Sequence, residues 1–184
     1  MKITNEKLDI DRVLYTPEQI AERVDEIART LADRYGGERP VMACVLKGAS
    51  FFYIDLCRSM RSHIEMDFIA VSSYGSKSKS SGVVRLIKDL DTDIEGKHVI
   101  LVEDIIDSGL TLKYLIELFS SRKPASVTTV SFLKKTDCGK QAAQADIFGF
   151  EIPNEFVVGY GLDYAGSYRN LPYIGVLKPG CYAE

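Results

Sequence analysis

Near the start of the chain, hydrophobic residues first recur with a helical period and then form one continuous run. Apolar side chains spaced three and four apart from Ile20 to Leu31 predict a helix. Thr16-Pro17-Glu18-Gln19 supplies a capping box with proline in the first turn, and Gly36-Gly37 ends the helix. Pro40 to Leu46 is continuously apolar and of strand length. We therefore expect a helix followed by a strand that is buried on both faces.

Helices and strands continue to alternate along the rest of the chain. The predicted elements are, in order, a helix over 48–62, strands over 64–71 and 98–102, a helix over 112–119, and strands over 127–133 and 156–158. Such alternation predicts parallel βαβ units and an α/β fold. Because no internal repeat or long linker divides the sequence, we expect residues 1–184 to form one domain.

Composition and charge argue against two classes of partner, nucleic acids and membranes. The chain is 46% hydrophobic and 27% charged, its net charge is −3 and its isoelectric point is about 5.5. Nucleic-acid binders usually carry a basic excess, so we expect no nucleic-acid partner. The longest apolar run, Val41 to Leu46, is far shorter than the ~20 residues that cross a bilayer, so we also expect no membrane partner.

The cysteines indicate a reducing compartment. Cys44, Cys57, Cys138 and Cys181 are widely spaced, and no C-x-x-C pair or histidine cluster accompanies them. A structural zinc site is therefore disfavoured. The first residues have no apolar stretch of the kind found in signal peptides, so we expect a cytoplasmic protein with free thiols.

The segment from Val99 to Thr111 carries the strongest chemical signal. Ligands of open parallel sheets bind outside the carboxyl ends of strands, and here Glu103, Asp104 and Asp107 follow a strand. Ser108-Gly109-Leu110-Thr111 comes next, at the start of the predicted helix. Small residues with free N–H groups at a helix N-terminus favour a phosphate monoester.

Carboxylates beside a phosphate site need a second role, because like charges repel. They can accept hydrogen bonds from sugar hydroxyls, or a divalent cation can lie between them and further phosphates. The simpler alternative is an acidic helix cap after a buried strand, but three carboxylates followed by Ser-Gly-x-Thr favour a binding site. The phosphate-loop and dinucleotide-binding glycine motifs are absent, which disfavours an ordinary kinase or dehydrogenase.

The serine-rich segment from Ser72 to Gly82 has no hydrophobic periodicity. One interpretation is a disordered surface loop. The other is a mobile lid, because long loops without regular structure in compact domains often cover active sites.

Several segments together resemble a known family. Val102 to Thr111 resembles the phosphoribosyl-pyrophosphate motif of the type I phosphoribosyltransferases, and more narrowly of their hypoxanthine-guanine branch. Val45 to Gly48, Ser73-Tyr74, and Phe156 to Asp163 followed by Arg169 agree with it. The resemblance implies a mainly parallel central sheet flanked by helices, with a small hood from the terminal segments. It also implies Mg²⁺, phosphoribosyl pyrophosphate, a 6-oxopurine base and a homodimer or homotetramer.

The same resemblance implies roles for individual residues. Asp107 would act as general acid/base beside the purine N7, and magnesium would be held by Glu103, Asp104 and Asp163. Ribose and 5′-phosphate would be bound by Glu103, Asp104, Ile105, Ile106, Asp107, Ser108, Gly109, Leu110 and Thr111. Pyrophosphate would be bound by Lys47, Gly48 and Arg169. The base would be bound by Lys135 at O6, Phe156 by stacking, Val157 through its backbone, and Asp163. The lid would contribute Ser73 and Tyr74.

Some of these assignments have simpler alternatives. Lys134 and Lys135 are adjacent on a strand end, so only one can face the base, and the resemblance favours Lys135. Phe156 alone would be typical of a core aromatic, and Arg169 alone of a surface charge. The segment 136–140 matches no pattern, which leaves the preference among hypoxanthine, guanine and xanthine open.

The expected reaction transfers the 5-phosphoribosyl group from phosphoribosyl pyrophosphate to N9 of a 6-oxopurine, a purine-salvage step. A regulatory RNA-binding protein on the same fold is the alternative from another class, and it would need a basic face. An adenine- or pyrimidine-specific relative is the alternative among enzymes. The acidic isoelectric point disfavours the first, and Lys135 with Phe156 disfavours the second.

Overall fold

The computed structural model of the chain describes residues 9–73, 84–136 and 143–182. Its elements in chain order are β1 (Ile10–Tyr15), α1 (Pro17–Arg34), β2 (Val41–Leu46), α2 (Ser50–Ser59), β3 (Glu65–Ser73), β4 (Val84–Lys88), β5 (His98–Ile106), α3 (Leu110–Ser120), β6 (Ser126–Lys135), β7 (Ile147–Ile152), β8 (Val157–Val158), β9 (Ile174–Leu177) and a short 3₁₀ helix (Pro179–Cys181).

A six-stranded sheet in the order β4-β3-β2-β5-β6-β7 forms the centre, and only the β3–β4 pair is antiparallel. Side chains of β2 alternate between two hydrophobic cores. Met42 and Cys44 face the core that contains α1 and α2, whereas Val41 and Ala43 face the core that contains α3. A strand with a core on each face must be apolar at every position, which explains the uninterrupted run in the sequence.

The first helix forms as its sequence predicts. The Thr16 hydroxyl accepts a hydrogen bond from the Gln19 N–H at 3.4 Å, and the Gln19 side chain accepts one from the Thr16 N–H at 2.9 Å. This capping box satisfies two N–H groups at the start of the helix. The side chains that α1 buries are those at helical spacing: Ile20, Val24, Ile27, Ala28 and Leu31.

A second, antiparallel sheet in the order β1-β9-β8 forms the hood. Its first strand comes from the amino-terminal part of the chain and its other two from the carboxyl-terminal part. The expected α/β fold with a mainly parallel sheet and a hood from the terminal segments is thus confirmed. None of the described helices is long and apolar enough to cross a membrane.

Element boundaries differ from the expectation mainly at β5. The apolar run predicts a strand that ends at Val102, but pairing with β6 continues to Ile106. Glu103 and Asp104 therefore lie on the strand and not after it. Strands β1, β4, β7 and β9 are not among the predicted elements, and each of them pairs with a neighbouring strand.

Candidate active site

Three parallel strands bring the predicted site residues to one edge of the central sheet. β2 ends just before Lys47, β5 ends just before Asp107, and β6 ends at Lys135. Because these strands are parallel neighbours, their carboxyl ends lie side by side. This is the edge at which ligands bind in open α/β sheets.

Two cavities at this edge share the end of β5. A cavity of about 160 Å³ is lined by Ile105, Asp107, Lys135, Glu155, Phe156, Val157, Leu162 and Asp163. A cavity of about 80 Å³ is lined by Glu103, Ile105, Ile106, Asp107, Ser108, Gly109, Thr111 and Leu112. We call them the base cavity and the phosphate cavity. Asp107 lines both.

The carboxylates of Glu103 and Asp104 flank the end of β5. Successive side chains of a strand point to opposite faces, so Glu103 lines the phosphate cavity while Asp104 lies against Gly48. Glu103 is only 5% exposed, and its Oε1 has no hydrogen-bond partner among the described residues. The Asp104 Oδ1 accepts a hydrogen bond from the Ile105 N–H at 2.8 Å.

Burial makes both carboxylates harder to ionise. It raises the pKa of Asp104 to about 6, although the Ile105 N–H and the Arg169 charge act in the opposite direction. Burial, and then the neighbouring Asp104 charge, raises the pKa of Glu103 well above its ordinary value. Glu103 is buried and Asp104 is partly buried, so ionising both is unfavourable for the protein alone. Neighbouring carboxyl groups with raised pKa values are typical of a site that binds a ligand.

Asp107 and Lys135 form an ion pair at the wall of the base cavity, in which the Lys135 side chain is largely buried and the Asp107 side chain is exposed. Lys135 Nζ lies 3.1 Å from Asp107 Oδ2. The register explains the contact, because Ile106 of β5 pairs with Lys134 of β6 and the next residues lie opposite each other. Lys134 points away: its Nζ lies 4.0 Å from Glu151 Oε1 and 5.2 Å from the centre of the Phe148 ring. Of the two adjacent lysines, Lys135 is therefore the one that faces the base cavity.

The phosphate cavity lies at the start of α3. Gly109 precedes the helix with a φ of 72°, a left-handed conformation that glycine adopts without steric cost. The turn places Ser108 and Thr111 at the cavity wall. N–H groups at the first turn of a helix are without intrahelical partners, and they can bind an anion.

A loop between β8 and β9, which we call the hood loop (residues 159–171), carries Asp163 and Arg169. Arg169 Nη2 lies 2.6 Å from Asp163 Oδ1, and Arg169 Nη1 donates to the Gly161 carbonyl at 2.5 Å. The other Asp163 oxygen accepts from the Gly166 N–H at 2.8 Å. Both oxygens of Asp163 are thus engaged within the loop itself.

The turn after β2 lies against both the hood loop and β5. The peptide bond between Leu46 and Lys47 is cis. A Cβ on Gly48 would overlap the Asp104 carboxylate, and a Cβ on Gly161 would overlap the Gly48 carbonyl. Glycine at position 48 leaves space for the Asp104 side chain, and glycine at position 161 lets the hood loop approach the backbone of the turn.

Phe156 stands at the border of the base cavity and is 36% exposed. Its ring stacks on Tyr182 with centroids 4.9 Å apart, and the Tyr164 ring meets it edge-on at 5.4 Å. Val157, by contrast, is only 7% exposed. An exposed aromatic face held by aromatic neighbours is suited to stacking on a flat ligand.

Comparison with known proteins identifies the family. A family model described as "Phosphoribosyl transferase domain" matches residues 13–165. The chain is 52% identical over 176 residues to a hypoxanthine-guanine phosphoribosyltransferase of Bacillus subtilis, covering 96% of this chain and 98% of that protein. The chain belongs to the phosphoribosyltransferase family.

Two further relatives agree. A hypoxanthine-guanine phosphoribosyltransferase of Streptococcus thermophilus is 47% identical, with 95% of this chain and 97% of that protein covered. The crystal structure of a hypoxanthine phosphoribosyltransferase from Staphylococcus aureus superposes with a TM-score of 0.93 at 42% identity, over 100% of both chains. The resemblance of the motif in β5 and α3 to the type I phosphoribosyltransferases is thereby confirmed.

Most of the predicted site residues of this phosphoribosyltransferase lie together, with a few differences. Leu110 is 40% exposed and lines neither cavity. Four other residues predicted to bind substrate also lie outside the linings of both cavities: Lys47, Gly48, Asp104 and Arg169. Ser73 ends β3, whereas Tyr74, most of the predicted lid and residues 137–140 lie outside the described residues. Glu155 and Leu162, which no sequence pattern singles out, line the base cavity.

The raised pKa of Asp104 predicts how the stability of this phosphoribosyltransferase without ligand depends on pH. Below the ordinary pKa of 3.8 the Asp104 carboxyl group is protonated in both the folded and the unfolded state, so it does not change the free energy of unfolding. As pH rises towards about 6, the unfolded state ionises first, so stability falls across that window. We expect the melting temperature of the wild type to fall more from about pH 4.5 to about pH 7 than that of Asp104→Asn.

Thermal unfolding with a chelator present measures this difference. Asp89→Asn is the control, because the hydrogen bond from Arg122 holds the pKa of Asp89 below its ordinary value and that carboxylate stays ionised throughout the window. Equal slopes for the wild type and Asp104→Asn would contradict the burial argument.

Proposed function

We propose that this chain transfers the 5-phosphoribosyl group of phosphoribosyl pyrophosphate to N9 of hypoxanthine or guanine, giving IMP or GMP and pyrophosphate. The observation that carries the proposal is the 3.1 Å contact between Lys135 and Asp107 in the base cavity, directly beside the phosphate cavity. A cationic donor beside a carboxylate is the pair of groups that would be needed to bind O6 and the N7 proton of a 6-oxopurine. The relatives named for this activity support it.

In the proposed mechanism, the chain's own residues position both substrates. N–H groups from Ser108 to Thr111 hold the 5′-phosphate at the start of α3. Glu103 and Asp104 accept hydrogen bonds from the ribose hydroxyls at the end of β5. The Lys47–Gly48 turn and Arg169 bind the pyrophosphate, which leaves as N9 attacks the anomeric carbon.

Asp107 and the base cavity complete the chemistry. Phe156 stacks on the purine and Lys135 donates to O6. Asp107 accepts the N7 proton as N9 forms the new bond, so no charge accumulates on the base. Ser73 and Tyr74 are proposed to help close the site and keep water from the oxocarbenium-like sugar.

We propose Mg²⁺ as the cofactor, and the residues present fit it. Glu103 Oε1 is a buried oxygen without a partner among the described residues, and Asp104 is a second oxygen donor at the same strand end. Mg²⁺ is commonly bound by one or two carboxylates together with substrate phosphates. Among the described residues, no group of three or more histidine, cysteine or acidic side chains is arranged to hold a metal ion by itself. When bound, the ion would neutralise charge on the leaving pyrophosphate.

Asp163 is proposed as a further metal-binding and base-binding residue with one condition. Both of its oxygens are hydrogen-bonded or ion-paired within the hood loop. A metal or base edge at Asp163 therefore requires Arg169 to turn towards the pyrophosphate, which would release Asp163 Oδ1. Binding of pyrophosphate and use of Asp163 are coupled through this ion pair.

Two further proposals concern the protein as a whole. We propose that it works in the cytoplasm, supported by the absence of disulfides among Cys44, Cys57 and Cys181.

We also propose a homodimer or homotetramer, supported by the exposed apolar side chains of Phe51 and Ile54 on α2.

The test of the proposed function is pyrophosphate release with phosphoribosyl pyrophosphate and Mg²⁺, with hypoxanthine, guanine, xanthine and adenine supplied separately. We expect turnover with hypoxanthine or guanine and none with adenine, because adenine presents an amino donor to the Lys135 ammonium. The ranking of the three oxopurines reports the base preference. Tight nucleotide binding without any turnover would refute the enzyme and favour a regulatory binding protein.

Replacement of Lys135 by methionine tests the O6 assignment. We expect kcat/KM for hypoxanthine to fall by about 10- to 100-fold, since a hydrogen bond from a charged group contributes about 1.5–3 kcal/mol. Lys134→Met is the matched control, because the Lys134 side chain lies towards Glu151 and Phe148. Steady-state kinetics on both variants should show a loss for Lys135→Met alone. Equal losses would contradict the assignment.

A further inference from the structure

Two residues outside the assigned substrate contacts connect opposite sides of the pyrophosphate site. Tyr160 follows Gly159 in the hood loop, and its hydroxyl donates a hydrogen bond to Asp55 Oδ2 at 2.7 Å. Asp55 lies on α2, which begins two residues after Gly48. The bond therefore joins the loop that carries Arg169 to the helix that follows the Lys47–Gly48 turn.

Backbone hydrogen bonds fix the hood loop on either side of Tyr160. Tyr160 has a φ of 48°, a left-handed conformation that is unfavourable for a residue with a side chain. Its N–H donates to the Leu171 carbonyl at 2.8 Å, and the next residue, Gly161, donates to the Arg169 carbonyl at 2.9 Å. Because Gly161 directly follows Tyr160, the backbone at Tyr160 is linked to Arg169 through this one hydrogen bond.

The surroundings of the tyrosine make the contact rigid. Tyr160 is 6% exposed, and its ring lies 5.0 Å from the Phe132 ring of β6, centre to centre. Burial, together with the nearby Asp55 carboxylate, raises the pKa of the phenol, so the hydroxyl stays protonated and acts as the donor. On the other side, Gly161 lies directly against the Gly48 carbonyl. The hood loop therefore contacts the turn at Gly161 and, one residue earlier, is hydrogen-bonded through Tyr160 to the helix that follows the turn.

We infer that the Tyr160–Asp55 hydrogen bond is a positioning contact that sets the separation between Arg169 and the Lys47–Gly48 turn, and thereby the affinity for the pyrophosphate group of phosphoribosyl pyrophosphate. The inference rests on the proposed function for the identity of that substrate. Neither residue touches the base cavity, so the contact acts on one substrate and not on the other.

The first test replaces the donor. We expect Tyr160→Phe to raise KM for phosphoribosyl pyrophosphate about tenfold, the factor that corresponds to loss of a hydrogen bond to a charged group, with KM for hypoxanthine unchanged. The matched control is Tyr53→Phe. Tyr53 is another fully buried tyrosine, on α2, whose hydroxyl donates to the Met42 carbonyl at 2.9 Å and accepts from the Asp67 N–H. That variant should lose thermal stability but leave both KM values unchanged.

The second test is a double-mutant cycle. Asp55→Ala should reproduce the effect of Tyr160→Phe, and the double variant should be no worse than either alone, because both remove the same bond. Asp55→Asn keeps an acceptor oxygen and should preserve affinity for phosphoribosyl pyrophosphate. Additive losses, an unchanged KM for phosphoribosyl pyrophosphate, or the same KM increase in Tyr53→Phe would overturn the inference.

Calorimetry separates this inference from the proposed function. Binding of phosphoribosyl pyrophosphate with Mg²⁺, measured in the absence of base, requires no catalysis. If the wild type binds this substrate without turning over any purine, the proposed reaction fails, while a tenfold loss of affinity in Tyr160→Phe would still support the positioning contact. If the wild type turns over hypoxanthine and the variant binds phosphoribosyl pyrophosphate equally well, only the inference fails.

Discussion

Replacing Asp107 by asparagine is expected to lower kcat by about 10²–10⁴-fold, the range that general acid/base catalysis contributes. Asparagine has nearly the same shape and still forms hydrogen bonds, but it cannot take the N7 proton from the attacking purine. Asp107 is also the one acidic residue that lines both cavities and contacts Lys135. Pre-steady-state kinetics at saturating substrate measures the loss at the chemical step.

Nucleotide binding provides the internal check on Asp107→Asn. The product nucleotide is held mainly by its phosphate, ribose and base contacts, so its affinity should change little. Asp33→Asn, an exposed carboxylate in the last turn of α1, serves as the control and should retain full activity. Full activity in Asp107→Asn would show that the carboxylate has no part in proton transfer.

Gly48→Ala is expected to produce the second large loss of activity, and the cause is steric. The added Cβ would overlap the Asp104 carboxylate, whose Oδ1 accepts the hydrogen bond from the Ile105 N–H. Either the carboxylate or the Lys47–Gly48 turn must move away from the position in which it is proposed to bind phosphoribosyl pyrophosphate. Displacements of about 1 Å at a reacting centre can cost about 10²-fold, so we expect a loss of that size in kcat/KM for this substrate.

The matched control for Gly48→Ala is Gly180→Ala. No atom lies within 4 Å of a Cβ built at Gly180, so alanine has space there. Steady-state kinetics and thermal unfolding on both variants distinguish a local effect on the site from a general loss of folding stability. Retention of wild-type affinity for phosphoribosyl pyrophosphate in Gly48→Ala would mean that the Asp104 carboxylate is not needed where the structure places it.

Both predictions depend on residues that the sequence made recognisable for different reasons. Asp107 belongs to a contiguous motif, in which carboxylates, a glycine and hydroxyl side chains lie between the end of a buried strand and the start of the next helix. Such a motif can be identified because strand, turn and helix start are consecutive in the chain. Lys47, Gly48, Phe156 and Arg169 were reached only through the resemblance to a family, since each alone has an ordinary structural explanation.

Local pattern was sufficient for α1, β2 and the turn into α3, because capping, helical spacing and the left-handed Gly109 depend on neighbouring residues. It was insufficient for β1, β4, β7 and β9, whose formation depends on the strands beside them. The end of β5 illustrates the limit. Glu103 and Asp104 are acidic and would not be assigned to a strand, yet pairing with β6 extends the strand past them to Ile106.

The sequence by itself determined the class of fold, the phosphate-binding segment and, through its resemblance, the family. Only the tertiary structure decided that Lys135 and not Lys134 faces Asp107, because the register between β5 and β6 sets which side chain points inward. It alone brought Tyr160 to Asp55 and Gly161 to Gly48, more than a hundred residues apart along the chain. A binding motif formed by consecutive residues can be recognised in the sequence. The distances between residues on different strands and loops are set only when those elements pack against one another.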